Sequence, residues 1–278
     1  MPESSLSPFV ELRPGVFRAI AEPEAVTIGL VVGSQGALVV VTGSAIAQGA
    51  AIRAAVETVA GVPVIAAVVT HGHWDHVYGL AAFADLPTYG HESVADALRT
   101  SPLDLPDDMA VEMESLVAPN RPFSLAKALD LGEQRVELVH FGRGHTAGDV
   151  VVIVPGADVI FAGDLLEEAN PPSFGPDCHL RDWPAAIDGI LGLLGEATLV
   201  VPGHGEPGDR VFAFTQRAEI SALYGQVEYL IGQGIKEADA YPAGEWPFDE
   251  ATVRAALPLA YAQLAAQGKV PRTKLTLL

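Results

Sequence analysis

The chain has one cysteine, few basic residues and no long apolar run, and each shortage removes a class of protein. A lone thiol, Cys178, forbids an intramolecular disulfide and fits a reducing compartment. Sixteen Lys and Arg stand against 35 Asp and Glu, for a formal charge of −19. A surface that acidic repels phosphate backbones and anionic lipid, so neither nucleic acid nor membrane is an expected partner. No apolar stretch approaches the roughly 20 residues that span a bilayer. The opening "MPESSLSPFVELRPG" has neither the basic nor the apolar region of a secretory signal. A cytoplasmic protein is expected.

What is present is an ordinary globular chain of 278 residues, 49% hydrophobic, with no internal repeat or low-complexity tract. Short apolar stretches separated by glycine, "VFRAI", "AVTIGLVVG" and "GALVVVTG", predict an antiparallel meander near the N-terminus. An alanine-rich segment at 45–61 predicts a helix stopped by Gly61. "VPVIAAVVT" then predicts a buried strand that runs into His71. Helices are expected in "VYGLAAFA" and "HESVADALRT", and residues 101–122 read as an inserted loop with a short helix. Strands follow at "ELVHF", "VVVIVPG", "DVIFAGD" and "ATLVVPGHG", with a helix at "RDWPAAIDGILGLLG". Two amphipathic helices, at 209–233 and 249–268, flank the linker "YPAGEWPFD". The pattern is α/β, with a catalytic domain over 1–208 and a helical extension over 209–278 packed on it.

The segment "HGHWDH" puts His71, His73, Asp75 and His76 within six positions, just past the buried strand. Extended backbone sends alternate side chains to one side, so His71 and His73 can face one metal together. Asp75 and His76, where the chain turns, point elsewhere and can serve a second. Imidazole with carboxylate suits zinc, and also iron or manganese. Three more apolar runs end on the same residue types beside glycine: His145 in "GRGHTAGD", Asp164 in "FAGD" and His204 in "VPGHGEP". Five of the eight histidines fall into this pattern. His91 and His140 have no such context and read as surface or core residues.

His-x-His-x-Asp-His followed by His145, Asp164 and His204 in that order resembles the metallo-β-lactamase superfamily, over approximately residues 15–208. The resemblance implies a four-layer αββα sandwich with a dinuclear metal site along one edge. Carried over, His71, His73 and His145 would hold one metal, Asp75, His76 and His204 the other, and Asp164 would bridge them. It implies two zinc ions sharing a hydroxide that attacks a small carbonyl substrate: a thioester, ester, lactone or lactam. Asp75 would also orient the nucleophile and carry a proton.

Asp164 stands where the best-known zinc β-lactamases have cysteine, which looks like the glyoxalase II, lactonase and general hydrolase branches. The following "LLEEANPPSFGPDCHLRDW" departs from glyoxalase II, which usually carries a glycine-, cysteine- and arginine-bearing segment there. In "VVVTGS", Val41 takes the place of the aspartate of an Asp-x-Gly found in many relatives, a change expected to weaken the metal site unless Thr42 or Ser44 compensates. Arg143, Phe174, His179 and Arg181 are the candidate substrate contacts, and the 101–122 segment with the Trp246 linker is a candidate lid. Two other functions fit the residues, a mononuclear iron persulfide dioxygenase and a non-catalytic metal-binding protein. Oligomeric state is left open, a homodimer included.

Overall fold

Two β-sheets face each other, and helices cover both outer sides. The computed structural model describes residues 5–100 and 115–271. The first sheet has eight strands: β1 (Ser5–Leu6), β2 (Val10–Arg13), β3 (Val16–Glu22), β4 (Val26–Val32), β5 (Ala37–Val40), β6 (Val64–Val68), β7 (Thr88–His91) and β8 (Arg121–Phe123). β1 to β5 pair antiparallel, as the glycine-punctuated pattern predicts, and β5 to β8 pair parallel. The second sheet runs β13-β12-β11-β10-β9, from β9 (Ala126–Asp130), β10 (Arg135–Val139), β11 (Val151–Val154), β12 (Val159–Gly163) and β13 (Leu199–Pro202).

Strands β11, β12 and β13 of the second sheet read as unbroken apolar runs because both of their faces are buried. Val152, Val154, Val159, Phe161 and Val201 enter the core between the sheets. The alternate residues Val151, Ile153, Ile160, Ala162 and Val200 enter a second core on the other side. Helix α1 (Ile46–Ala60) covers the first sheet through Ile52 and Val56, and Gly61 ends it at φ 65°. On the far side lie α4 (Trp183–Leu191), α5 (Arg210–Gly232), α6 (Glu237–Ala243) and α7 (Glu250–Ala266). The layers are therefore α, β, β and α, the order that the motif resemblance implies. No helix among the described residues is long and apolar enough to cross a membrane.

Several local expectations change. "VYGLAAFA" is a 3-10 helix over Tyr78–Phe83, after the single turn α2 (Trp74–Val77). Gly79 there packs so closely on Thr42 that a Cβ would meet the Thr42 carbonyl oxygen at 1.8 Å. His91 closes β7, and α3 (Val94–Thr100) begins later, where Ser93 accepts from the amides of Asp96 and Ala97. Residues 101–114 of the expected insertion lie outside the described residues, and its last residues join β8 beside β7. The linker before α7 holds the unpredicted α6, and Trp246 donates to the Tyr241 carbonyl at 2.9 Å, folded back on that helix.

The C-terminal helices also hold the loop that follows β12. The buried side chain of Gln216, on α5, donates to the Leu165 carbonyl at 3.0 Å and accepts from the Glu167 amide at 3.0 Å. Gln263, on α7, donates to the Cys178 carbonyl at 2.8 Å. Replacing Gln216 by Leu leaves the Glu167 amide unpaired, at about 1–3 kcal/mol, and leaves the Leu165 carbonyl with the Trp183 indole N–H as its donor. Gln216→Leu is expected to lower stability by at least that much in urea unfolding; an unchanged midpoint would show that the loop does not depend on this tether.

Candidate metal centre

Every residue of the expected ligand set lies at one edge of the sandwich, at or just beyond a strand end. β6 runs through Val69 and Thr70 into His71, and His73 opens the single turn α2 that carries Asp75 and His76. His145 lies between β10 and β11. Asp164 and His204 follow β12 and β13, which are parallel neighbours, so their ends emerge side by side. Backbone hydrogen bonds join the sheets at this edge, from Thr27 to the Gly203 carbonyl at 2.8 Å and from Val150 to the Thr70 carbonyl at 2.7 Å.

Two glycines make room. Gly163 turns the chain at φ 56°, a conformation that L side chains rarely adopt. A Cβ on Gly203 would lie 1.8 Å from Asp164 Oδ1. Only a residue without a side chain lets the two strand ends meet over that carboxylate.

Potential ligand atoms of His71, His73, His145 and Asp164 lie within 4.8 Å of one another, and so do those of Asp75, His76 and His204. In the first group His145 Nε2 is 2.8 Å from His73 Nδ1. In the second, Asp75 Oδ2 is 3.4 Å from His76 Nε2 and 3.2 Å from His204 Nε2. Asp164 reaches both: its Oδ2 is 3.7 Å from His71 Nε2, 3.5 Å from His145 Nε2 and 3.6 Å from His204 Nε2, and its Oδ1 is 3.2 Å from His76 Nε2. A tetrahedral ion with bonds near ~2.0–2.1 Å holds its ligands ~3.3 Å apart, so these spacings fit zinc.

The outer hydrogen bonds turn the right nitrogens inward. Thr70 Oγ1 lies 3.1 Å from His71 Nδ1 and 3.3 Å from His76 Nδ1. When both Nδ1 atoms donate to that oxygen, both Nε2 lone pairs face the site. His204 Nδ1 donates to the Glu24 carbonyl at 3.1 Å. His73 is reversed: Nε2 donates to Asp177 Oδ2 at 3.1 Å, which leaves Nδ1 facing His145. His71 Nε2, His76 Nε2 and Asp164 Oδ1 are buried with no hydrogen-bond partner. Such atoms are costly to leave alone, and a cation would satisfy all three.

The electrostatics point the same way. Burial, with the neighbouring His76, holds the His71 imidazole well below its ordinary value, and burial with His73 lowers His145 to about 4. Burial also opposes charge on His76 and His204, yet Asp164 and Asp75 outweigh it and raise them to about 9 and about 11. Burial would raise Asp164, but His76, His71 and His204 hold its carboxyl well below the usual range. In the first group burial keeps His71 and His145 neutral, although the hydrogen bond to Asp177 outweighs burial and raises His73. In the second the carboxylates of Asp164 and Asp75 favour protons on His76 and His204 whose place a metal ion would take.

A cavity of about 280 Å³ opens onto the two groups, lined in part by Trp74, Asp75, Glu167 and Asp177. None of the four expected substrate contacts lines it. Arg143 pairs with Asp182 at 2.5 Å, and Phe174 is buried against Trp183 and Phe248. Arg181 is exposed, and His179 is half-buried with its amide bonded to the Gly144 carbonyl. Val41 adopts φ 68°, unusual for a β-branched residue and a cost of about 1–3 kcal/mol. Its amide bonds to the Val68 carbonyl at 2.8 Å, and the next residue supports the ligand turn: Thr42 donates from both its amide and its hydroxyl to the His76 carbonyl. Ser44 bonds instead to Gln48. His91 and His140 stack on each other with ring centres 4.2 Å apart, outside both groups.

Thr70, Glu167 and Asp177 were not singled out in the sequence. Thr70 directly precedes a motif residue and Glu167 follows Asp164 by three, but Asp177 has no local signal and meets His73 only through the fold.

Comparison with known proteins agrees with this architecture. The family model described as the metallo-beta-lactamase superfamily matches residues 21–204. Curated relatives include the type 2 metallo-beta-lactamase of Bacillus cereus, 28% identical over 145 residues, which are 51% of this chain and 52% of that protein. Another is metallo-beta-lactamase IND-1 of Chryseobacterium indologenes, 28% identical over 148 residues, 52% of this chain and 56% of the relative. The chain thus spans about half the length of the curated relatives it matches. A solved metallo-beta-lactamase from Pontibacter korlensis superposes with a TM-score of 0.64 at 23% identity, over 79% of this chain and 99% of that one. DIM-1 metallo-beta-lactamase gives 0.64 at 20%, over 79% and 98%. The likeness to these two structures is one of fold. With the family match covering strands β4 to β13 and both ligand groups, the chain belongs to the metallo-beta-lactamase superfamily.

Proposed function

We propose that the protein is a dinuclear zinc hydrolase acting on a small carbonyl compound, a thioester, ester, lactone or lactam. The observation that carries this reading is Asp164, whose two carboxylate oxygens lie within 4 Å of imidazoles in both groups. What supports two metals over the one-iron alternative is the complete second set, Asp75, His76 and His204. The soluble, cytoplasmic setting and a small-molecule partner belong to the same proposal, consistent with the acidic composition.

Two zinc ions held there would polarise the carbonyl and make a water nucleophilic near neutral pH. Asp75 directs Oδ2 at His76 and His204, which leaves Oδ1 to accept a proton from the attacking water. His73 is held in one tautomer by Asp177, and His71 and His76 by Thr70, so the ligand rings do not have to reorient as substrate enters. Trp74 and the residues around Asp177 wall the cavity and limit water access. In hydrolysis the oxygen of water bonds to the carbonyl carbon, the bond to the leaving oxygen, sulfur or nitrogen breaks, and a proton goes to the leaving atom. Asp164 in place of cysteine favours the lactonase-like and general hydrolase branches over the lactamases.

Purified protein is expected to hold close to two zinc ions per chain and to cleave at least one member of a thioester, ester, lactone and β-lactam panel, with Asp75→Ala abolishing turnover. One tightly bound iron, or turnover that survives Asp75→Ala, would overturn the reading. Zinc at about a hundred times its Kd should add about 2.7 kcal/mol to unfolding, seen as a rise in Tm that chelation reverses. Asp177→Asn should weaken the first site by about 10–100-fold in competition with a chromophoric chelator and leave the second site filled. Equal loss at both sites would assign Asp177 a general structural part instead.

A further inference from the structure

Glu167 faces the metal centre on one side and a second, larger cavity on the other. It lines both spaces, so they adjoin at this residue. The second cavity, about 700 Å³, combines the carboxylates of Glu167, Glu168, Asp209 and Glu219 with the aromatic rings of Phe212 and Phe248. Glu167 is 9% exposed, and its carboxyl group has no hydrogen-bond or ion-pair partner among the described residues. A buried acid without such a partner is costly. Its potential ligand atom lies within 4.8 Å of those of Asp164 and His204 on the metal side, and its other side is the cavity.

The other acids divide by what they already hold. Glu168 accepts from the Glu206 amide, and Asp209 caps α5 by accepting from the amides of Val211 and Phe212. Glu219, half-buried on the same helix, has no side-chain partner among the described residues. Among the described residues no lysine or arginine lines either cavity. Among these lining groups a carboxylate-bearing molecule would meet only acids beyond the metals, whereas an ammonium group would meet Glu167 and Glu219 beside aromatic faces. Burial raises both acids, Glu167 to about 8, and a nearby cation draws them back to the charged form.

We propose that this groove receives a positively charged organic group, so that the substrate is a carbonyl compound carrying an amine or quaternary ammonium attached to an apolar body. The proposal rests on the hydrolase reading for its chemistry, but binding in the groove can be measured without turnover.

The test is calorimetric titration of the zinc-loaded full chain with phenylpropyltrimethylammonium, its neutral tert-butyl isostere and phenylbutyrate. The cation should bind at least about tenfold tighter than the isostere, and phenylbutyrate most weakly. Glu167→Gln and Glu219→Gln should each narrow that gap by about threefold or more, with zinc content measured alongside. Glu57→Gln, on α1, should leave it unchanged. Equal binding of all three probes, a gap that survives both groove variants, or a gap narrowed as much by Glu57→Gln would each overturn the proposal. So would a gap unmoved in Glu167→Gln while zinc is lost, which would make Glu167 a metal ligand alone. Relative kcat/KM on a matching trimethylammonium ester, its tert-butyl isostere and its carboxylate analogue then separates the two readings. Turnover of all three without charge preference removes the groove proposal and leaves the hydrolase. Charge-selective binding with no turnover keeps the groove and removes the hydrolase, and loss of both overturns both.

Discussion

A carboxylate buried among imidazoles is the constraint around which this edge of the molecule is arranged. Asp164 is 5% exposed, with His71, His76, His145 and His204 within 4 Å of its oxygens and, among the described residues, no lysine or arginine paired with it. A charge in that position is tolerated only with strong compensation. Protons on His76 and His204 supply some of it, and metal ions would supply more. The neighbouring architecture serves the same requirement. Gly203 gives up its side chain so that the carboxylate has room, Gly163 bends the strand beneath it, and Thr70 and Asp177 fix the rings that surround it.

The two sheets supply rigidity where the site needs it. Val159 and Phe161 fill the space between the sheets while Ile160 and Ala162 pack under the helices, so β12 is gripped on both faces up to the residue before Asp164. Burying each such side chain contributes about 1.5–3 kcal/mol. A carboxylate at the end of such a strand keeps its place without a rigid loop to support it.

How much of this could be read in the sequence depended on distance along the chain. The candidate ligand residues were legible because four crowd the segment after one apolar run and the other three sit beside glycine near the ends of further runs, and the order of layers came with the motif. The αL turn at Gly61 and the proline-started helix α4 are local signals and fell where they were read. What local patterns did not carry was contact between remote segments. Asp177 meets His73 across 104 positions, and Gln216 meets Glu167 across 49. Arg143 looked poised beside His145, yet it sits on the outer side of that turn and pairs with Asp182. Phe174 looked like a wall of the pocket, but an aromatic ring next to Trp183 and Phe248 gains more from burial among them than from facing solvent. Val41 took the position of an acid and kept the bend, with support for the ligand turn passing to Thr42 and Thr70.

The glutamine tethers have a consequence for how this scaffold can change. The family match ends at residue 204, yet the loop that carries Glu167 and Asp177 is fastened by Gln216 and Gln263, both beyond it. The edge with the His/Asp cluster and its fastening are thus written in different stretches of chain. Substitutions in the C-terminal helices can move the wall of the pocket while every metal ligand stays where it is. Selection on the shape of that pocket therefore has a handle that the His/Asp motif does not constrain.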